Sequence, residues 1–245
     1  MRIEICVDSV GGALAAQAGG ADRVEMCDNL MEGGTTPSAG CMRVARQRLK
    51  IGLQMMIRPR GGDFLYDADE LMVMREDIRM AREFGADGVV FGCLTPEGDI
   101  DRERTAEFIA LARPLNVTFH RAFDMCRDPR QGLEDLIALG VDRVLTSGQE
   151  SSVLEGLALI AELHRQAAGR IIVLPGGGIT ERNVARIVEG SGVVEVHLGA
   201  RSSVQSRMQF RHHRCYMGGT LRPAEFSWKS TDAAAVRSVR ETLGE

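Results

Sequence analysis

Several signatures are missing from this chain, and each absence narrows what it can be. No apolar run approaches the ~20 residues that a transmembrane helix needs, so a membrane partner is not expected. Glu4 and Asp8 interrupt any apolar leader at the N-terminus, which reads better as a first strand than as an export signal. Net charge is −4 with no basic block or stripe, which argues against nucleic acid and anionic lipid surfaces. None of the six cysteines forms a CxxC pair, so zinc-knuckle and thioredoxin-type motifs are excluded. Six thiols without an export signal imply a reducing, cytoplasmic compartment. There is no HExxH and no Ser-His-Asp order, and nothing implies a nucleotide cofactor. No linker, low-complexity tract or compositional break marks a second domain.

What is present is an alternation. Eight short apolar runs, Arg2–Val7, Arg23–Cys27, Leu53–Ile57, Gly88–Gly92, Val117–His120, Arg143–Thr146, Ile171–Leu174 and Val193–Leu198, are separated by helical stretches. A phrase recurs before the even-numbered runs: Gly20-Ala21-Asp22, Gly85-Ala86-Asp87 and Gly140-Val141-Asp142, with Gly190-Ser191-Gly192 as its reduced form. Glycine past the last helical residue can take positive φ without strain. Repetition of such a turn is what a chain of βαβ units requires. Eight units in 245 residues predict a single-domain α/β protein, a (β/α)8 TIM-type barrel spanning 1–245. An irregular extension and a final helix occupy about 202–245. Helices are expected over Val10–Gln17, from Asp69 to about Phe84, up to about Ala112, from Pro129, through Leu154, Leu157, Ile160 and Leu163, after an N-cap at Thr180, and over Asp232–Leu243. The segment Asp28–Gly40 reads as a loop.

Parity within the strands locates the chemistry. Residues two apart share a face, so Ile3, Ile5 and Val7 oppose Glu4 and Cys6. Likewise Val24 and Met26 oppose Glu25 and Cys27, and Val194, Val196 and Leu198 oppose Glu195 and His197. The helix-facing layer must be apolar, so the polar sets face the lumen. A charge is costly there unless paired, so Glu4, Glu25 and Glu195 are expected either to pair with cations such as Arg58, Arg60 or Arg121 or, for some of them, to be protonated. In this fold polar residues gathered at strand ends favour a site. His120, Arg121 and Asp124 end the fifth strand, where the histidine could move a proton with Asp124 or Glu25 orienting it. Glu195 and His197 are further acid–base candidates. His164, His212 and His213 read as surface residues.

Two glycine-rich loops supply a second signal. Pro175-Gly176-Gly177-Gly178 follows the seventh strand and Gly199-Ala200-Arg201 the eighth. Loops at that pair of strands commonly hold an anion through backbone N–H groups. Gly177, Gly178, Gly199 and Arg201 are therefore anion-binding candidates, with Arg58 and Arg60 as further cations. This supports an alternative function, an enzyme acting on a small anionic or phosphorylated metabolite by His, Glu and Asp acid–base chemistry. Cys6 and Cys27 end adjacent strands on the same parity, and two thiolates so held suit Cu(I). On the residues alone, cysteine as an ordinary small core residue is the stronger interpretation.

At these residues the sequence resembles the CutC family of copper homeostasis proteins. The matching stretches include Gly20–Cys27, Glu32–Ser38, Ile57–Phe64, Val117–Asp124, Arg143–Gly148 and Pro175–Thr180, and they span essentially the whole chain. The resemblance implies a TIM-type barrel, a cytosolic location and a homo-oligomer, dimer or tetramer. It also implies a role in copper tolerance, with Cys6 and Cys27 at the positions of the family's suggested Cu(I) ligands.

Overall fold

The computed structural model describes residues 1–212, 214, 215, 217 and 224–244. Eight parallel strands form one sheet: β1 (Arg2–Val7), β2 (Arg23–Met26), β3 (Gly52–Met56), β4 (Gly88–Phe91), β5 (Asn116–Phe119), β6 (Arg143–Thr146), β7 (Ile172–Pro175) and β8 (Glu195–Leu198). Their order is β7-β6-β5-β4-β3-β2-β1-β8, and a parallel bridge between Gly176 and His197 closes the ring. The helices α1 (Val10–Ala18), α2 (Ala39–Arg48), α3 (Ala68–Glu83), α4 (Arg102–Ala112), α5 (Pro129–Leu139), α6 (Leu157–Ala167), α7 (Val184–Ser191) and α8 (Ala233–Thr242) cover its outside. This is the expected single-domain (β/α)8 TIM barrel. No helix among the described residues is long and apolar enough to cross a membrane.

The local causes are ordinary ones. Serine or aspartate caps most of the helices: Ser9, Ser38, Asp67, Asp101, Asp128 and Asp232 each accept a first-turn N–H. Asp67 and Glu70 complete a capping box. The recurring Gly-x-Asp phrase has a second half. Asp22, Asp87 and Asp142 each accept the N–H of the preceding strand, from Ile3, Leu53 and Val117 at 2.7–2.8 Å. Each also takes an arginine, from Arg240, Arg46 and Arg113 respectively. The phrase thus ends one helix and ties two strands at the base of the barrel.

Three expectations change. The loop expected over Asp28–Gly40 gives way at Ala39 to α2, whose buried face is only Met42 and Ala45, too little apolar periodicity to announce a helix. Thr180 does not cap α7. The helix starts at Val184, and the Thr180 carbonyl accepts from Asn183 and Val184 N–H. Leu154 precedes α6 and is partly exposed. In the extension, β9 (Arg201–Gln205) pairs antiparallel with β10 (Ser227–Thr231). The chain then returns as α8 to pack beside α1, where Val236 presses on Gly19. His212 is exposed, His164 is partly buried, and His213 lies outside the described residues.

The core divides by parity. Ile3, Ile5, Val24, Met26, Leu53 and Val196 belong to the large cluster between strands and helices. Cys27, Met56 and Val90, with Cys6 and Leu30 against them, form a smaller cluster inside the lumen.

A candidate metal and anion site at the barrel mouth

The lumen is stratified. In its lower part Glu195 accepts from Arg23 (2.6 Å) and Arg143 (2.8 Å), and Arg23 also donates to Glu4. All four are at least nine-tenths buried. The register explains the partners: Glu4 stands beside Arg23 on one side and His197 on the other. The lumen carboxylates are therefore held by Arg23, Arg143 and His197 rather than by Arg58, Arg60 or Arg121. Those three extend from strand-end loops above the layer that needs neutralising. Glu195 accordingly sits in this structural network and does not reach the mouth.

Above it opens a cavity of about 280 Å³ whose walls include Cys6, Glu25, Arg58, His120, Arg121, Asp124 and His197. Sequence reasoning thus assembled most of one site from five different strands. Two glycines make room for it. A Cβ at Gly92 would lie 2.6 Å from His120 Nδ1, and one at Gly176 would lie 3.0 Å from the His197 ring. Larger residues there would push both imidazoles out of place.

The two histidines hold opposite charge states. His197 Nδ1 is 2.7 Å from Glu4 Oε1 and its Nε2 is 3.7 Å from Glu25 Oε2. Burial opposes its charge, but Glu25, Cys6 and Glu4 outweigh that and raise its pKa well above the usual value. Glu4, against the same burial, is brought down to about 2 by Arg23 and His197. His120 is the reverse case: burial and the nearby Arg58 charge lower its pKa to about 3. Its Nδ1 accepts the Ala122 N–H at 3.2 Å, so Nε2 carries the ring proton and meets no partner. Neither Asp124 nor Glu25 orients it; the backbone does. His120 therefore offers a neutral N–H as a hydrogen-bond donor.

Asp124 is saturated. It accepts from Arg121 Nε, Thr146 Oγ1, Ser147 N, Ser147 Oγ and Gln149 N. This leaves it a positioning residue for Arg121, which Ser147 Oγ also meets at 2.7 Å. Ser147 and Gln149 were not singled out in sequence, although they sit in the polar end of the sixth strand that was. Arg60 runs along its own loop to Glu70 and Asp63 and is not a wall of the cavity.

Cys6 lines the mouth, and Cys27 is buried beside it. Cys27 Sγ lies 3.9 Å from Cys6 Sγ and 3.4 Å from Glu25 Oε2, and its single S–H is shared between the two. The Cys27 hydrogen bond, with His197 adding its charge, outweighs burial and lowers the Cys6 pKa to about 5. The same sulfur contact, then burial, raises Cys27 well above the ordinary thiol range. Burial likewise drives Glu25 toward its protonated form. At neutral pH this is a thiolate beside an imidazolium, with a thiol as hydrogen-bond donor. Cys6, Glu25 and Cys27 can each point a ligand atom at one position, and so can Glu4, Glu25 and His197.

The glycine loops after β7 and β8 do approach each other. Gly178, Gly199 and Arg201 line a second cavity of about 290 Å³ together with Glu181, whose charge is of the wrong sign for an anion. Gly177 is turned away from it, toward Ser147 and Arg121.

A family model for CutC matches residues 1–202. The chain belongs to the CutC family. It is 56% identical over 237 residues to the copper homeostasis protein cutC homolog of Homo sapiens, covering 97% of this chain and 87% of that protein. A CutC family protein from Chromobacterium violaceum is 51% identical, over 98% of this chain and 97% of its own length. The crystal structure of a CutC protein from Streptococcus agalactiae superposes with a TM-score of 0.78 at 36% identity, covering 81% of this chain and 98% of that one. A phosphoribosylanthranilate isomerase from Thermotoga maritima, 13% identical with a TM-score of 0.59, shares the barrel alone. CutC membership accounts for the sequence stretches that build the mouth, since five of the six stretches quoted above supply at least one wall residue.

Proposed function

We propose that this CutC chain serves copper homeostasis in the cytoplasm by holding Cu(I) on the sulfurs of Cys6 and Cys27. The observation that carries this reading is the 3.9 Å separation of two sulfurs, one of which, Cys6, lines an open cavity while Cys27 lies buried behind it. Soft thiolates select Cu(I) over the harder divalent ions, and the names of the relatives point to copper. With metal–sulfur bonds of about 2.3 Å, a linear bridge would need sulfurs about 4.6 Å apart. The observed pair is closer, which suits a bent arrangement open to a third donor. Glu25 Oε2 is in reach of that position. One thiol is already ionised and the other is not, so loading displaces the Cys27 proton, and the Glu25 proton as well where that carboxylate becomes the third donor.

The test is titration of the reduced protein with Cu(I) against a competing chelator, beside the Cys6→Ser/Cys27→Ser variant. One equivalent bound by the wild type and none by the folded variant is expected. Equal affinity in both would refute the assignment.

A further inference from the structure

We propose that the mouth cavity also binds a small organic carboxylate, held by Arg58, Arg121 and the Nε2–H of His120. The argument does not depend on copper. It starts from a charge balance. The buried arginines of the lumen, Arg23 and Arg143, sit on carboxylates. Arg58 is only 5% exposed, yet it has no carboxylate within ion-pair distance among the described residues. Its Nη1 donates to the carbonyls of Glu32 and Gly34, its Nη2 to the carbonyl of Gly62, and its Nε to nothing. Carbonyls satisfy N–H groups but leave the net charge, and a buried unpaired charge is costly. An anion entering the cavity supplies the missing opposite charge.

The other walls select the kind of anion. His120 offers a neutral N–H that no protein atom uses, fixed in that tautomer by the Ala122 N–H at its other nitrogen. Such a donor binds a carboxylate oxygen without a charge of its own to desolvate. Arg121 is oriented through Nε and Nη2 by Asp124 and Ser147, which leaves Nη1 for a further contact. Glu32 also lines the rim; its carboxylate accepts from Asn29 and keeps its charge, but it is exposed to solvent, which screens it, whereas Arg58 is buried. Met56, Phe64 and Leu145 give the cavity an apolar side, which inorganic phosphate would leave unmatched. A volume of about 280 Å³ falls just under the range of about 300–1,000 Å³ for drug-sized ligands. The occupant is therefore an organic carboxylate with an apolar body, below drug size.

Isothermal titration of the reduced, metal-free, full-length protein tests this, with acetate, propionate, butyrate and pyruvate as probes and inorganic phosphate beside them. Saturable binding of at least one carboxylate is expected, weakened about tenfold or more in Arg121→Gln and in His120→Asn. Arg58→Gln should abolish it, but Arg58 ties three carbonyls and that variant can fail to fold. The other two substitutions therefore decide. In the wild type, the same carboxylate should shift the ¹⁵N resonance of His120 Nε2. The proposal is overturned if no carboxylate binds at millimolar concentration. It is equally overturned if binding is the same in both deciding variants, or if phosphate binds more tightly than every carboxylate.

Discussion

Burying a neutral imidazole has a consequence for stability that can be worked out in advance. His120 titrates near 6.5 in an unfolded chain and at about 3 in the folded one. Above pH 6.5 both states are neutral and the residue is indifferent to pH. Below it the unfolded chain binds a proton that the folded chain refuses, so stability falls as pH falls, and goes on falling to about pH 3. The slope approaches about 1.4 kcal/mol per pH unit, and the loss between pH 8 and pH 5 comes to about 2 kcal/mol. The perturbation is His120→Asn, whose side-chain oxygen can still accept from Ala122 N–H. Urea unfolding followed by circular dichroism at pH 8, 6.5 and 5 gives the free energies for both proteins. The wild type should lose about 2 kcal/mol more than the variant over that interval. Any constant offset between them cancels in the comparison. Parallel pH profiles would refute the reasoning, because they would mean that the folded imidazole protonates as readily as the free one.

Arg23→Met removes one of the two cationic partners of Glu4 and of Glu195, leaving them His197 and Arg143, and unfolding should show a loss of about 3 kcal/mol for the excess buried negative charge; a change under about 1 kcal/mol would refute the pairing. Cys6, with its pKa near 5, should react with iodoacetamide at a rate nearly constant from pH 6 to 8 while Cys27 stays unmodified, as read by peptide mass spectrometry. A rate that climbs tenfold per pH unit at Cys6 would contradict the ion pair. Gly148 has φ +75° and a Cβ there would lie 2.3 Å from the Gly156 carbonyl oxygen, so Gly148→Ala should cost on the order of 1–3 kcal/mol or more, and should also disturb Arg121 through Ser147. An unchanged melting temperature would show that the loop yields.

Much of this was legible before the structure, for identifiable reasons. Parity in β1, β2 and β8 needs only alternation, so Glu4, Cys6, Glu25 and His197 fell on the lumen face, and most of the mouth followed from the strand ends. Height along the barrel was not legible. Parity cannot say that Glu195 starts its strand while His197 nearly ends it, because the stagger between strands decides which layer each residue enters. Saturation was hidden as well: Asp124 looked free in sequence, whereas its partners come from a loop about twenty residues later. α2 escaped because two buried residues make no periodic signal, and β9 with β10 because their pairing spans a segment of more than twenty residues. The aspartates of the Gly-x-Asp phrase were visible as a repeat, but their bonds to the preceding strand were not.

The ion-paired layer of Glu4, Arg23, Glu195 and Arg143 bears on traffic through the barrel. It fills the lumen beneath Cys6 with paired charged side chains, so among the described residues the mouth is the approach to that sulfur and the barrel works as a cup rather than a tube. Whatever arrives at Cys6 from solvent leaves by the path it took in. A donor and an acceptor of cargo would have to occupy the same rim in turn, and neither could be served from the opposite end. Exchange would then slow whenever one of them lingers, an inhibition that a through-channel would not show.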